Sequence, residues 1–246
     1  MIKKTLFSFI LLSVLVNAST ARALSCSNVF DDLWVASTRV EKNKFVTSRE
    51  LWEYESSLHP DFKVRLKNLK SDQHWIDLGA GKANAQIDYL KSLPNERDGA
   101  QATAVCYKLD RWFSPPKFSG KLEIKEGLFE SMPTEKWQKA DLITDVFGVL
   151  SYSRDMHTSL SKTFDLLKKG GELYIHMTNY STHFKGKAQS LTLEHFLRSI
   201  PGIQVEGRFG DLKVTKMQDT IVIPPFKVDT YKDDAPPVRT YILEAE

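Results

Sequence analysis

The residues best suited to chemistry share one short stretch, His74-Trp75-Ile76-Asp77-Leu78-Gly79-Ala80-Gly81-Lys82-Ala83. Two glycines, two apart and directly after an apolar run, leave a turn with bare backbone on which a ligand can lie. Asp77, two residues ahead of Gly79, places a carboxylate at the mouth of that turn. The same composition also makes a plain strand-to-helix turn, so the glycine pair alone decides little. A second acid, Asp145, stands near the end of the apolar run from Ala140 to Phe147, with Phe147 two residues on. His176 ends another apolar run and precedes Met177-Thr178-Asn179-Tyr180, where a base role competes with a strand histidine satisfied by its neighbours. His157 and His183 fall at a helix start and in a loop, and no His, Cys, Asp or Glu cluster has metal-ligand spacing. Trp52 and Tyr54 fit either an aromatic lid or core packing, and core packing is the stronger reading.

The elements that must position these groups can be read from periodicity. From Asn28 to about Leu69 the pattern is mostly helical, with Phe30, Leu33 and Trp34, then Leu51, Trp52 and Tyr54, on apolar faces. Trp75 to Leu78 is a strand signal running into the glycine turn, and Ala83 to Leu93 is helical until Pro94 and Asn95 stop it. Gln101 to Tyr107, Leu122 to Lys125, Ala140 to Phe147 and Glu172 to Met177 follow as strands. Strands alternating with helices predict a parallel sheet covered on both faces. Met156, Leu160, Phe164 and Leu167 form the stripe of a helix lying on that sheet, closed by Lys168-Lys169-Gly170-Gly171, whose positive charges suit a helix C-terminus. A further helix ends at Pro201-Gly202, and Ile203 to Phe209 and Val238 to Leu243 are two late strands.

Three motifs, in order, resemble the class I S-adenosylmethionine-dependent methyltransferases. Asp77, Gly79 and Gly81 match the family's acidic-x-Gly-x-Gly-x-Gly turn, with Ala83 in place of the third glycine. Lys139-Ala140-Asp141-Leu142-Ile143-Thr144-Asp145 looks like the fourth strand with its acidic end. Leu166-Leu167-Lys168-Lys169-Gly170-Gly171-Glu172-Leu173-Tyr174-Ile175 looks like the entry to the fifth. The resemblance covers roughly residues 73 to 177. It implies a Rossmann-like, doubly wound α/β fold: a mostly parallel seven-stranded sheet with late antiparallel strand, behind a helical N-terminal preface. The two late strands would be the family's sixth and seventh. It also implies S-adenosyl-L-methionine as cofactor. The turn from Gly79 to Gly81 would face its methionine portion, Asp77 would hold the turn or the amino group, Gly127, Leu128 and Phe129 would lie near the adenine, and Asp145 with Phe147 would stand at the lip. The family's ribose-binding acid is displaced here, the strand ending Val105-Cys106-Tyr107-Lys108 with Asp110 the nearest acid, and Leu128 stands where many members put an acid for the adenine. Alignment of acceptor, methyl and sulfur provides much of the rate in such a transfer, so the lack of a catalytic dyad leaves the enzyme reading intact and the acceptor, a small molecule or a protein, unread.

Residues 1–23 read as a secretory signal: Lys3 and Lys4, a short apolar run from Leu6 to Val16, and the small residues Ala21-Arg22-Ala23. That run is about half of the roughly 20 residues a spanning helix needs. The expected organisation is therefore a signal peptide (1–23), a helical preface (24–70) and a methyltransferase-like domain (71–246), exported to a periplasm or secreted, with no stable membrane span after cleavage. Cleavage would remove Lys3, Lys4 and Arg22 and no acid, taking the formal charge from +3 to about zero. Without a concentrated basic face, composition indicates no nucleic-acid partner. Cys26 and Cys106 are the only cysteines, and either a single disulfide or two separate thiols is compatible with that count. The competing reading is an exported, non-catalytic binding protein that keeps the fold.

Overall fold

The computed structural model describes residues 48–109, 114–118, 120–177, 181–186, 190–208, 210–232 and 237–244. The signal-peptide expectation, Phe30, Leu33, Trp34, Cys26 and Asp110 lie outside them.

Two short helices, α1 (Leu51–Ser57) and α2 (Asp61–Lys67), precede the sheet. α1 starts where the Glu53 carboxylate accepts the Glu50 N–H at 2.8 Å, and Pro60 leads into α2, where a missing N–H costs nothing. Next come β1 (His74–Leu78), α3 (Asn84–Ser92), β2 (Gln101–Cys106), β3 (Leu122–Glu126), β4 (Ala140–Val146), α4 (Val149–Tyr152), α5 (Met156–Leu166) and β5 (Leu167–His176). The chain continues through β6 (Thr182–Lys185), β7 (Ser190–Thr192), α6 (Leu193–Arg198), β8 (Ile203–Arg208), β9 (Asp211–Lys216), β10 (Phe226–Lys232) and β11 (Val238–Leu243).

The main sheet has seven strands in the order β3-β2-β1-β4-β5-β9-β8. β1 to β5 are mutually parallel and β9 runs antiparallel to β5, so the α/β fold class and the late antiparallel strand are as expected. The order reverses between β1 and β4, the switch point at which an open sheet of this kind leaves a crevice. Alternation along the strands sends side chains to two cores. Trp75, Leu142, Val146 and Tyr174 face α1, α2 and α3, where Tyr54, Phe62 and Tyr89 meet them. Ile76, Leu78, Ile143, Leu173 and Ile175 face α5 and α6.

Three expectations need correction. Val238–Leu243 is absent from the main sheet; it is β11 of a second, four-stranded sheet ordered β10-β11-β6-β7. Its place beside β8 is taken by β9, because the short reversal through Gly210, at φ +94°, folds β9 back on β8 as a hairpin. Lys168-Lys169-Gly170-Gly171, expected to close the helix, lie within β5, and the end of α5 is held from elsewhere. Buried Lys216, on β9, donates to the Phe164 and Leu167 carbonyls at 2.6 and 2.8 Å, while Lys168 pairs with Asp141 at 2.7 Å. Trp52 is 64% exposed, so the preface splits: Tyr54 is core and Trp52 is surface.

The second sheet adds an aromatic cluster to the core that it shares with the main sheet, α5 and α6. Phe184 stacks on Phe196 with centroids 4.0 Å apart and meets Phe226 and Tyr241 at 5.1 and 5.3 Å. Phe184→Ala should destabilise the protein by about 3–5 kcal/mol in urea unfolding; a loss below ~1 kcal/mol would show that this sheet is not integral to the fold.

Candidate functional site

Asp77 is fully buried, and protein donors fill both of its oxygens. Tyr54 Oη and Gln86 Nε2 donate to Oδ2, each at 2.7 Å, and Thr144 Oγ1 donates to Oδ1 at 2.7 Å. Trp75 Nε1 donates in turn to Thr144 Oγ1 at 2.9 Å. One carboxylate thus ties α1, α3, β1 and β4 together at the switch point. Burial pushes its pKa up, against the downward pull of those three donors. Asp77 is an anchor of the turn, reached by no open face.

The turn itself is shaped by contact with a second turn. A Cβ on Gly79 would lie 2.3 Å from Gly148 Cα, and one on Gly148 would lie 1.8 Å from the Leu78 carbonyl oxygen. The glycines let the ends of β1 and β4 press together, so part of the glycine signal records packing. The amides are also largely committed. Gly79 and Ala80 donate to Val105 O, Ala83 donates to Ala80 O, and Lys82 donates to Ser48 Oγ at 2.7 Å. Gly81 N–H has no protein acceptor among the described residues, and Gly81 is buried at φ +56°. Ala83 sits at φ +59°, a conformation in which a glycine carries no Cβ penalty, at the place of the motif's third glycine.

Asp145 faces the other side of the sheet from Asp77 and does a different job. Its Oδ1 accepts Gly148 N–H at 3.0 Å and its Oδ2 accepts Leu150 N–H at 2.8 Å, so it caps the start of α4. The far end of α4 is held by Arg239 on β11, which donates to the carbonyls of Leu150, at 2.7 Å, and Ser153. Burial is the main reason the Asp145 carboxyl is pushed up to about 7; its two amide donors and Arg239 oppose the shift, and Asp77 adds to it.

The turn between Asp145 and α4 carries Phe147 at φ +47°, a strained position for a large side chain, held as its N–H donates to His176 O at 2.8 Å. The Phe147 ring meets His176 edge-on at 4.6 Å, and His176 Nδ1 bonds the Asp211 carboxylate. From the other side, the Arg49 guanidinium lies 5.3 Å from the Phe147 ring centre and donates to Val146 O at 3.2 Å.

The remaining candidates are spread apart. Leu128 is half-buried after β3, and the Phe129 ring is buried in the core against Trp137, 6.4 Å away. Gly127, at φ +138°, donates to Cys106 O. Burial pushes the Cys106 thiol up to about 12, which makes it a packing group at neutral pH. His157 stacks edge-on against Phe226. Sequence reasoning missed Ser48, Arg49, Gln86, Thr144, Asp211 and Arg239. Gln86 was within reach of it, standing on the first turn of the helix after the glycines. Nothing local marks Arg239.

No protein-family model and no curated protein sequence matches the chain. Among solved structures it is similar to YjhP from E. coli, at 12% identity over 46% of this chain and 45% of that one, with a TM-score of 0.32. It is similar to MnmC2 from Aquifex aeolicus, at 16% over 67% and 59%, TM-score 0.41. A third is the precorrin-6y C5,15-methyltransferase from Geobacter metallireducens, at 16% over 62% and 84%, TM-score 0.39. The chain spans about half the length of the first two.

The state of Asp145 gives a stability signature. Its carboxyl is raised from the ordinary 3.8 to about 7, so the folded protein holds a proton there that the unfolded chain releases. The resulting contribution is fully present below pH 3.8 and is lost as pH rises through about 7. Urea midpoints of the wild type minus those of Asp145→Asn should therefore fall from about pH 4 to pH 7 and level off above; a flat difference across that interval would contradict a protonated Asp145.

Proposed function

We propose that the chain is an S-adenosylmethionine-dependent methyltransferase acting on a small-molecule or protein acceptor. The observation that carries this reading is the glycine turn of β1 at the β1/β4 switch point of a seven-stranded sheet with one late antiparallel strand. The polar groups left over at that point fit the amino-acid end of such a cofactor. Gly81 offers a buried N–H, and Gln86 Oε1 is a buried acceptor with no hydrogen-bond partner, beside the carboxylate its own Nε2 serves. A buried donor and a buried acceptor left unmade are costly unless a ligand or water meets them. Bound there, the cofactor supplies a methyl group to a nucleophile of the acceptor. The chain's part is positioning: Asp77 fixes the turn, Asp145 and Arg239 fix α4, and the strained Phe147 fixes the edge between them. Asp145 at the lip acts through α4, and Leu128 contributes backbone, near the adenine.

The second reading, a non-catalytic binding protein with this fold, is favoured by one observation: Asp77 and Asp145 spend their acceptors inside the protein. Titration of the protein with S-adenosylmethionine and S-adenosylhomocysteine decides between them. Saturable binding is expected, weakened about tenfold by Asp77→Asn, the equivalent of ~1.4 kcal/mol. Absence of any saturable signal at millimolar ligand would sink the enzyme reading, and unchanged affinity in Asp77→Asn would refute the assignment of the turn.

We also propose export through the N-terminal signal, which supports either reading and, since S-adenosylmethionine is made in the cytoplasm, favours action within another cell for the first. No described helix is long and apolar enough to cross a membrane. Mass spectrometry of the protein from its native host should give a mature N-terminus near Leu24; an intact Met1 in a soluble fraction would overturn export.

A further inference from the structure

Arg49 is a cation at the switch point that makes no close ion pair among the described residues, its charge reaching the buried Asp77 only at longer range. Its guanidinium is half-buried, spends one N–H on Val146 O and lies over the Phe147 ring. A guanidinium has five donors in a planar fork, so most of its capacity is left over. The acids near it are committed. Asp77 has both oxygens filled by Tyr54, Gln86 and Thr144; Asp145 is filled by the Gly148 and Leu150 amides. Glu50, the next residue, accepts from Trp52 Nε1 at 2.9 Å, and Glu53 accepts the Glu50 amide. No ion pair involves Arg49 among the described residues.

The side chain is also aimed by its neighbours. Ser48 is fastened to the glycine turn through the Lys82 amide, and Leu51 N–H donates to Asp88 at 3.1 Å on α3. The backbone on either side of Arg49 is therefore pinned to the turn and helix that follow β1, while its head reaches the end of β4. Phe147, at positive φ, offers the face on which that head rests. A strained residue and a pinned strap that together hold an unpaired cation at a ligand crevice describe a carboxylate-binding position.

We propose that Arg49 binds a ligand carboxylate at the β1/β4 switch point. This rests on the methyltransferase reading, under which the carboxylate has two sources: the amino-acid end of the cofactor, or an acidic methyl acceptor. Arg49 is set on the backbone carbonyl and the aromatic face as a two-point mount, leaving the rest of the fork for a bidentate contact.

The experiment compares wild type, Arg49→Gln and Arg49→Lys by calorimetry with three probes: S-adenosylhomocysteine, 5′-methylthioadenosine (the same nucleoside thioether without the amino-acid end), and benzoate added to protein saturated with S-adenosylhomocysteine. Thermal unfolding confirms that each variant is folded, and Arg49→Lys serves alone if Arg49→Gln is not. If the cofactor is the source, Arg49→Gln weakens S-adenosylhomocysteine roughly tenfold or more and methylthioadenosine less than about twofold, with Arg49→Lys between. If an acceptor is the source, both nucleosides bind unchanged and benzoate binding is lost in Arg49→Gln. Equal weakening of both nucleosides, or no change with any probe, overturns the proposal, the first result marking Arg49 as a strap that only shapes the site. Wild type that binds neither nucleoside overturns the methyltransferase reading instead, and benzoate with the free protein then decides Arg49 separately: loss in Arg49→Gln supports a carboxylate site, and unchanged or absent binding overturns it.

Discussion

The buried carboxylate of Asp77 is the constraint on which the rest of the arrangement depends. A charge or a proton taken so far from water is tolerated only when its hydrogen bonds are made. Here each partner comes from a different element: Tyr54 from α1, Gln86 from α3 and Thr144 from β4. Satisfying one side chain therefore fixes the register of the preface against the sheet and of β4 against β1. The aromatic packing of Phe62 against Trp75 and Tyr174, at 6.2 and 5.6 Å, fills the space around this knot and keeps water from it.

With β1 and β4 so fixed, their ends cross at a distance only glycine permits. Gly79 and Gly148 are back to back, and the chain leaving Gly148 enters a helix too short to be stable by itself. That helix is ordered by partners at both ends, a carboxylate at its amides and a guanidinium at its carbonyls. The result is a rigid rim on the carboxyl edge of the sheet, with Phe147 held in a conformation that the surrounding structure must over-determine.

β1, β2 and β4 were legible as short, mostly apolar runs bounded by turn residues, and Met156, Leu160 and Phe164, all buried, announced the helix over them, whereas Leu167, read as the end of that stripe, begins β5. The glycine turn was legible in place but not in meaning, since composition cannot separate a glycine that admits a ligand from one that admits Gly148. The second sheet was not legible. β6 and β7 are four and three residues long, too short for alternation to show, and β6 finds its parallel partner β11 more than fifty residues on. Nothing in the sequence sets Lys216 and Arg239 apart from the other cations; only their burial against backbone carbonyls does. Trp52 and Tyr54 are two apart on one short helix, and nothing in their types reveals which of them turns inward.

The pairing of β11 with β6 sets an order of events for a chain made from its N-terminus. The main sheet is complete once Lys216 has emerged, with the crossing of Gly79 and Gly148 and the Asp77 knot already possible. The carbonyl end of α4, however, must wait for Arg239, near the end of the chain. Closure of the rim joins Leu150 to Arg239, 89 residues apart, a separation comparable to the 97 between Val146 and Arg49 at the same crevice, and it cannot precede synthesis of β11. A crevice edge begun by residue 48 is closed only by residue 239, so its order depends on elements from both ends of the described residues.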